Sequence, residues 1–432
     1  MKILFLIYHG FSEVSGISKK IHAQVKGLQQ NGHEVHLCYY DRGANGHWQR
    51  LVKIENGKWK IENEAARKQS SIFRSTSGRL LPQGRKNLPL DLWSLATEGT
   101  QESSILSDFG SGKMAGLRQR ISYGDVYRYC VSQQIEMVYA RCFMNANPFL
   151  VRFFARLKKA GIKAVMEIPT YPYDQEFEGF SRVERLQLRL DQMFRHRLAR
   201  QLEAIVTFTN QQQIFGQRTI RISNGVDLDC MPLHQRVDTS RELHLIGVAE
   251  VHYWHGYDRL IAGLGEYYNG GRWMADGGRD IYFHIVGGVW HSEMHDDEHA
   301  PGFQELIEKY GIQDKVIFHG QLFGDELNAV FAQCSFAVGS LARHRSGISD
   351  IKTLKNREYA SRGLPFVYSE NDSDFDHQPY VLKVPADESP VDVARIVEFE
   401  RQLTMTPQQI RQTVEHLSWR VQMERTVEGV KG

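Results

Sequence analysis

The segment from Arg343 to Ser369, RHRSGISDIKTLKNREYASRGLPFVYS, brings two carboxylates and an ammonium close together in sequence. Asp350 and Glu358 lie eight positions apart, about two helical turns, so a helix would carry both on one side, with Lys355 on a neighbouring face. Carboxylates accept hydrogen bonds from hydroxyl groups, and an ammonium balances phosphate charge. The polar loop ending at Gly347 therefore predicts an anion site where this helix begins. The competing interpretation is a solvated helix whose charges pair with one another.

A second candidate site follows the first apolar run of the chain. Gly16 opens a predicted helix in the sequence GISK, which ends at Lys19. A glycine at such a turn lets the backbone approach a phosphate, and the N–H groups of the first helical turn face it. We expect this turn to face a donor or an acceptor, although any strand–helix turn favours glycine and serine.

Two further patterns resemble metal sites. His291, His295 and His299 have the i, i+4, i+8 spacing of metal ligands on a helix, but four acids crowd them, and we favour a solvated loop. The DSD sequence at residues 372–374 resembles a metal-binding DxD, and we interpret it as a loop. We therefore predict no metal site.

Strand and helix patterns alternate along the chain in two successive halves. KILFLIYHG begins the first half and LHLIGVAEV restarts the pattern in the second. Such alternation predicts an α/β protein with two parallel, doubly wound sheets, which bind ligands at the carboxyl ends of their strands.

These patterns divide the chain into domains. We predict an N-terminal Rossmann-like domain over 1–228 and a C-terminal Rossmann-like domain over 229–410. Residues 45–120 are polar, turn-rich and net basic, and we interpret them as an insertion in the first domain. A C-terminal helix within 411–432 is expected to pack back toward the first domain.

The composition narrows the function class. The net charge is only +2, from 53 basic and 51 acidic side chains, which argues against a nucleic-acid-binding protein. The five cysteines are scattered and show no CxxC motif, as expected of reduced thiols in the cytoplasm. The apolar run at the start is too short for a signal peptide, and no window is long enough to span a membrane.

Two surface features of the first domain stay open to two interpretations. The predicted helix from Arg182 to Arg200 carries six arginines and an apolar stripe, which suits either a peripheral contact with an anionic membrane or an ordinary core-facing helix. YPYDQE, from Tyr171 to Glu176, is a candidate aromatic wall for a sugar acceptor, although aromatic turns are common.

Several motifs in the right order resemble one family. GISKK, SNGVD, VIFHG and REYASRGLPFVYS match the layout of retaining glycosyltransferases of the GT-B fold, close to glycosyltransferase family 4, the bacterial polysaccharide-type sugar transferases. The resemblance covers nearly the whole chain except 45–120. It implies two doubly wound Rossmann-like domains facing a central cleft, with the acceptor on the N-terminal domain and the nucleotide sugar on the C-terminal domain.

The resemblance assigns roles to residues of the opening segment. Glu358 matches the family's glutamate that binds the donor ribose, and Asp350 stands where a second glutamate contacts the donor sugar and leaving phosphate. Two basic residues of the family are replaced by Glu250 and His255, so we expect Lys355 and another basic residue to balance the diphosphate.

That other basic residue is Arg259, one helical turn beyond His255. His319 and Gly320 in VIFHG are also implied donor-binding residues, as are Gly16, Lys19, His255 and Gly347. The family's histidine near the reacting carbon aligns with Pro169, and Glu167 or Arg141 is expected to occupy that corner.

The implied function is transfer of a hexose from a UDP- or GDP-linked donor to a glycan or lipid-linked acceptor, with retention and without a metal or other cofactor. The enzyme is expected in the cytoplasm, with a peripheral contact at the inner membrane surface left open. Because Glu250, His255 and Pro169 depart from the family pattern, a non-catalytic GT-B protein that binds a sugar nucleotide or a partner stays open. A nucleotide-sugar epimerase is the third alternative.

Overall fold

The structure is a computed structural model of the chain. It describes residues 1–8, 16–41, 47–53, 59–61, 119, 122–141, 144–174, 182–275, 277–289, 302–347 and 350–431. Two compact units contain these residues. The first unit runs to Ser223 and takes up the chain again from Trp419, and the second unit contains Asn224–Ser418.

The first unit is built on one nine-stranded sheet. Its strands are β1 (Lys2–Ile7), β2 (Glu34–Asp41), β3 (His47–Lys53), β4 (Trp59–Ile61), β5 (Met137–Arg141), β6 (Lys163–Ile168), β7 (Ala204–Thr207), β8 (Gln213–Ile214) and β9 (Gln217–Arg221). They are arranged in the order β4-β3-β2-β1-β5-β6-β7-β9-β8. Within the run β2-β1-β5-β6-β7-β9 all neighbouring strands pair in parallel. The outer strands β3, β4 and β8 pair antiparallel with their neighbours.

Five helices belong to the described part of the first unit. They are α1 (Gly16–Gln30), α2 (Tyr123–Ser132), α3 (Pro148–Lys159), α4 (Arg182–Ala199) and α12 (Trp419–Lys431). The C-terminal helix α12 packs directly on α1, since a Cβ on Gly27 would lie 2.6 Å from the Trp419 carbonyl oxygen. Asn31 adds a hydrogen bond of 2.8 Å from Nδ2 to the Arg420 carbonyl. A glycine in α1 is thus required by the close approach of the last helix.

The second unit is a six-stranded, all-parallel sheet with the order β12-β11-β10-β13-β14-β15. Its strands are β10 (Glu242–Val248), β11 (Asp280–Val286), β12 (Val316–Gly320), β13 (Phe336–Val338), β14 (Phe366–Tyr368) and β15 (Val381–Lys383). Its helices are α5 (Tyr257–Asn269), α6 (Arg272–Ala275), α7 (Phe303–Tyr310), α8 (Gly324–Gln333), α9 (Leu354–Arg362), α10 (Val393–Gln402) and α11 (Pro407–Gln412). The strand order reverses between β10 and β13, which is where sheets of this type bind ligands.

The predicted α/β class with doubly wound parallel sheets is confirmed. The central strands of each sheet are almost entirely buried, as expected of a parallel sheet with helices on both faces. One part of the segment 45–120 was not anticipated: it supplies β3 and β4, which extend the first sheet beside β2. Within the described ranges, the chain contains no helix that is both long and apolar enough to cross a lipid bilayer.

Candidate functional site

The loops at the carboxyl ends of β10 and β13 meet at the switch point of the second sheet. A Cβ on Gly256 would lie 2.7 Å from the Cβ of Ala342, so the two loops touch. Gly287, which follows β11, has φ +129°, and a Cβ there would lie 1.7 Å from the Ala249 carbonyl oxygen. Only glycine allows these approaches. In doubly wound sheets the ligand-binding crevice lies at this switch point.

Lys355 lies in this crevice, on the first turn of α9. Its side chain is buried, and Nζ donates to the Ser340 hydroxyl, just beyond β13, over 3.2 Å. Thr353, the N-cap residue of α9, makes no side-chain capping bond, and its hydroxyl is buried without a hydrogen-bond partner. An ammonium, a hydroxyl and an uncapped helix N-terminus together form a site suited to an anion.

Glu370 is an acid in the same crevice that the sequence did not reveal. It follows β14, and only 2% of its surface is exposed. Burial raises the pKa of its carboxyl to about 7, although Lys355 and the buried Arg343 act to lower it. Oε1 lies 3.5 Å from Asn356 Nδ2, and Oε2 is buried without a hydrogen-bond partner. The carboxyl therefore changes charge near neutral pH, next to the ammonium of Lys355.

Glu358 lies one turn along α9 from Lys355. Its carboxylate is held by Arg362, with Oε1 accepting from Nη2 at 2.8 Å and from Nε at 3.0 Å. Arg362 also donates to Asn328 Oδ1 over 2.9 Å, so the arginine is fixed from two sides. The second carboxylate oxygen of Glu358 takes no part in these bonds. Binding of a ribose by Glu358 stays a prediction.

Asp350 does not share a helix with Glu358, which corrects the prediction that both acids lie on one helical side. The residue is exposed and forms an isolated parallel bridge with Asn371, whose carbonyl accepts from the Ile351 N–H at 3.0 Å. Because this pairing keeps the backbone extended, α9 begins only at Leu354.

Arg259 is engaged by its own unit, and its role in balancing phosphate charge stays a prediction. Its Nε donates to the Ser389 carbonyl at 2.7 Å, Nη2 donates to the Pro385 carbonyl and to Asp387, each at 3.0 Å, and Nη1 donates to the Leu341 carbonyl. The guanidinium thus joins α5 to the loops that follow β13 and β15 and has most of its N–H groups occupied.

His255 belongs to the loop that follows β10 and is 1% exposed. Its Nδ1 accepts from the His252 N–H at 2.9 Å, and its carbonyl accepts from the Leu341 N–H at 2.8 Å. It joins the β10 and β13 loops, and contact with a donor stays a prediction.

His319 belongs to a row of three histidines across neighbouring strands. His244 Nδ1 is 2.8 Å from His284 Nε2, and His284 Nδ1 is 2.8 Å from His319 Nε2. Burial, with the adjacent histidines, lowers the pKa of His284 to about 4, so the middle ring is neutral. Gly320, which ends β12, has φ +66°, and its carbonyl accepts from the Gly287 N–H at 2.7 Å.

A buried arginine explains two motifs that the sequence left separate. Arg357 is fully buried and donates to both carboxylate oxygens of Asp372, at 2.7 and 3.1 Å, and to Asp374. Its Nε donates to the Asn224 carbonyl over 3.0 Å. The DSD loop and the SNGVD motif therefore both serve to hold α9 in place.

The first unit carries a buried charged cluster around Glu167. Burial alone would raise the pKa of this carboxyl, but Arg141, Lys20, Tyr139 and Gln24 together lower it to about 2. Glu167 Oε1 is 3.2 Å from Arg141 Nε and 3.4 Å from Lys20 Nζ. A carboxylate enclosed in this way supports the fold, so the expectation that Glu167 or Arg141 meets the donor sugar gains no support from these contacts.

Two surface expectations for the first unit change. Tyr173 is 2% exposed and donates to Asp191 over 2.7 Å, so this part of the YPYDQE segment is core instead of an acceptor wall. On α4, Leu186 and Met193 of the predicted apolar stripe are 67% and 69% exposed. At these two positions the apolar stripe is therefore exposed among arginines and does not face the core.

Several of the predicted site residues lie partly or wholly outside the residues that the structure describes. The side chain of Lys19 lies outside the described residues, and the backbone places Gly16 at the start of α1 as expected. Gly347 ends a short 3₁₀ helix with φ +70°. The His291, His295 and His299 run lies outside the described residues, and within them no group of three or more ligating side chains could hold a metal ion.

Known proteins resemble this chain in structure but not detectably in sequence. No protein-family profile matches the sequence. No functionally curated protein matches it either. Sucrose-phosphate synthase from Thermosynechococcus elongatus superposes with a TM-score of 0.56 at 13% identity, covering 100% of this chain and 99% of that one.

Two further structures are similar over their whole length. The trehalose-6-phosphate synthase OtsA gives a TM-score of 0.55 at 12% identity, covering 99% of this chain and 98% of that one. An alpha-glucosyltransferase in complex with UDP and a 13-mer DNA gives 0.51 at 11% identity, with full coverage of both chains. These similarities show that the chain has the GT-B fold of two Rossmann-like domains.

Proposed function

We propose that this protein is a glycosyltransferase that binds a nucleotide-sugar donor at the carboxyl ends of the second sheet. The observation that carries the proposal is the crevice in which Lys355, Ser340 and the uncapped start of α9 converge at the switch point. Proteins of the same fold include sugar-phosphate synthases and a glucosyltransferase crystallised with UDP. The fold and the anion-binding crevice support the same substrate class.

In the proposed complex the diphosphate lies against Lys355 and the first-turn N–H groups of α9, with Arg343 adding positive charge. Glu358 accepts hydrogen bonds from the two ribose hydroxyls through its carboxylate, which Arg362 already orients. When the bond from the sugar C1 to the diphosphate breaks, negative charge grows on the leaving oxygen. Fixed cationic and N–H donors stabilise that charge without reorganising.

Retention follows if the acceptor oxygen attacks C1 from the face that the diphosphate leaves. The acceptor proton then passes to the leaving phosphate oxygen, so the nucleoside diphosphate departs protonated and the sugar is joined to the acceptor. This step requires no protein nucleophile. The protein contributes position and charge, which are the main sources of rate in such reactions.

We assign the acceptor to the first unit and propose that it is a glycan carried on a lipid. The support is α4, where Leu186 and Met193 are exposed beside the exposed arginines Arg185, Arg189 and Arg197. Apolar side chains among arginines suit an anionic membrane surface, where each basic residue contributes about 1 kcal/mol. The enzyme would then work as a peripheral protein at the cytoplasmic face of a membrane.

A non-catalytic sugar-nucleotide-binding protein remains a second candidate, because Asp350 is displaced from α9 and Glu250 stands where the resembled family has a basic residue. The test is an assay of nucleotide release from a panel of UDP- and GDP-sugars, with and without membrane lipid extract. Turnover of one donor by the wild-type chain supports the enzyme. Tight nucleotide binding with no turnover of any donor supports the binding protein.

A further inference from the structure

The second unit contains a cavity that is separate from the crevice just described. It encloses about 300 Å³ and is lined by Ser335, which precedes β13, and Pro365, which precedes β14. It thus opens at the amino edge of the sheet, whereas Ser340 and Glu370 lie at the carboxyl edge. Five residues of extended chain separate Ser335 from Ser340, roughly 15 Å. The proposed function leaves this cavity unused.

Three buried polar atoms of the cavity lining have no hydrogen-bond partner. They are Arg279 Nε, Ser335 Oγ and His234 Nδ1. Arg279 is 3% exposed, and its Nη2 donates to Glu400 over 2.7 Å, which fixes the guanidinium against the cavity. A buried polar atom without a partner is destabilising, so these three atoms are positions that a ligand in the cavity would satisfy.

The three atoms differ in what they require. Arg279 Nε is a donor only, and the Ser335 hydroxyl can donate, so both suit an anionic oxygen. Burial lowers the pKa of His234, and the other ring nitrogen keeps its proton and donates it in a hydrogen bond to the Phe331 carbonyl. The neutral Nδ1 is therefore an acceptor and requires an O–H group on the ligand.

Charge and shape narrow the class of ligand. Arg236 and Arg401 are exposed at the lining and add positive charge, while Glu400 is engaged by Arg279 and by Thr239 at 2.9 Å. Leu403, Met405 and Ile410 give the cavity an apolar side suited to a carbon skeleton. We propose that this cavity binds a hydroxylated phosphate monoester, a compound of the sugar-phosphate class, at a site distinct from the donor crevice.

The test is calorimetric titration of the full chain with glucose 6-phosphate, in the absence of any nucleotide sugar. We expect saturable binding at least tenfold tighter than that of inorganic phosphate or of glucose, since each of these lacks half of the required groups. Ser335→Leu fills the cavity while keeping the backbone bond from its N–H to the His244 carbonyl, and should weaken binding at least tenfold. Ser132→Leu, at an exposed residue of the first unit, is the matched control and should change nothing.

A second variant keeps the test decisive if Ser335→Leu does not fold. Arg236→Gln removes an exposed positive charge and one exposed hydrogen bond, from Nη2 to the Met405 carbonyl over 3.2 Å, and should weaken glucose 6-phosphate binding three- to tenfold. Lys355→Met reports on the donor crevice and should leave glucose 6-phosphate binding unchanged. Wild-type affinity in both Ser335→Leu and Arg236→Gln would overturn the proposal, as would loss of binding in Lys355→Met alone. Because no transfer is measured, failure here would leave the proposed glycosyltransferase function standing.

Discussion

The ammonium of Lys355 acts to lower the pKa of Glu370, yet burial holds that pKa at about 7. The crevice therefore gains one negative charge as the pH rises through neutrality. A diphosphate bound beside Lys355 would meet that charge. Donor binding should thus be tighter below pH 7 than above it.

The first prediction tests this charge directly. UDP-glucose is a suitable probe because its diphosphate does not itself titrate near neutral pH. We expect its affinity to fall three- to tenfold between pH 6 and pH 8, and Glu370→Gln to remove most of that dependence. Calorimetric titration of both proteins over the pH range measures it. An equal pH dependence in the variant would show that another group is responsible.

The second prediction concerns the effect of Glu370 on the stability of the second unit. The folded-state pKa of Glu370 lies above the ordinary 4.5, so its contribution to stability is fully present below pH 4.5 and is lost as the pH rises through 7. Glu370→Gln should therefore raise the free energy of unfolding of the second unit at pH 8 relative to wild type, by more than at pH 5. Urea unfolding at the two pH values gives the comparison. A variant less stable than wild type at pH 8 would contradict the titration assigned to Glu370.

The third prediction concerns the charged cluster of the first unit. Arg141→Met leaves the buried Glu167 carboxylate with less compensation and should destabilise the first unit by about 3–5 kcal/mol. Arg128→Met breaks only an exposed ion pair with Asp125 and should cost less than about 1 kcal/mol. Chemical unfolding of both variants measures the difference. Similar small losses in both would mean that Glu167 is not held by charge.

Acid should also unfold the first unit through this cluster. The pKa of Glu167 is depressed to about 2, so its contribution is present above pH 4.5 and is lost as the pH falls through 2.

The fourth prediction assigns the ribose to Glu358. Glu358→Ala should weaken UDP-glucose binding at least tenfold, because charge-assisted hydrogen bonds contribute about 1.5–3 kcal/mol each. Glu326→Ala, at an exposed residue on α8, is the control. The analogue that lacks the ribose 2′-hydroxyl should lose clearly less affinity on this substitution than UDP-glucose does, because only its 3′-hydroxyl still donates to Glu358. A full tenfold loss with the deoxy analogue as well would place Glu358 away from that hydroxyl.

The fifth prediction concerns the exposed face of α4. The double variant Leu186→Glu, Met193→Glu should lose most of its binding to anionic vesicles at low salt, in co-sedimentation experiments. Met274→Glu alters a side chain that is 75% exposed on the second unit and should bind as wild type does. Absence of vesicle binding by the wild-type chain at low salt would make α4 an ordinary solvated helix.

Sequence patterns predicted the alternating elements well because each buried strand and amphipathic helix carries its own periodicity. They indicated Lys355 as a candidate for the same reason: it lies one turn from Glu358 on a recognisable helix, and its binding role stays a prediction. Asp350 was misplaced because its backbone pairs with Asn371, a contact with a residue distant in sequence that spacing along a helix ignores.

Glu370 and Arg357 show what local patterns cannot supply. Glu370 follows a short strand like many surface acids, and only the packing of the β13 and β14 loops buries it. Arg357 lies in a charged segment typical of a solvated helix, yet its partners are Asp372 and Asp374 in a different loop. Likewise, the turn-rich composition around β3 and β4 concealed strands that depend on pairing with β2.

In the proposed complex, Lys355 and the start of α9 hold the donor diphosphate. A crystal structure of the protein soaked with UDP is the direct test of this arrangement. We expect a phosphate oxygen within about 2.7–3.2 Å of Lys355 Nζ, with the first-turn N–H groups of α9 directed at the diphosphate. A diphosphate bound elsewhere on the second unit, with no phosphate oxygen near Lys355 Nζ, would contradict it.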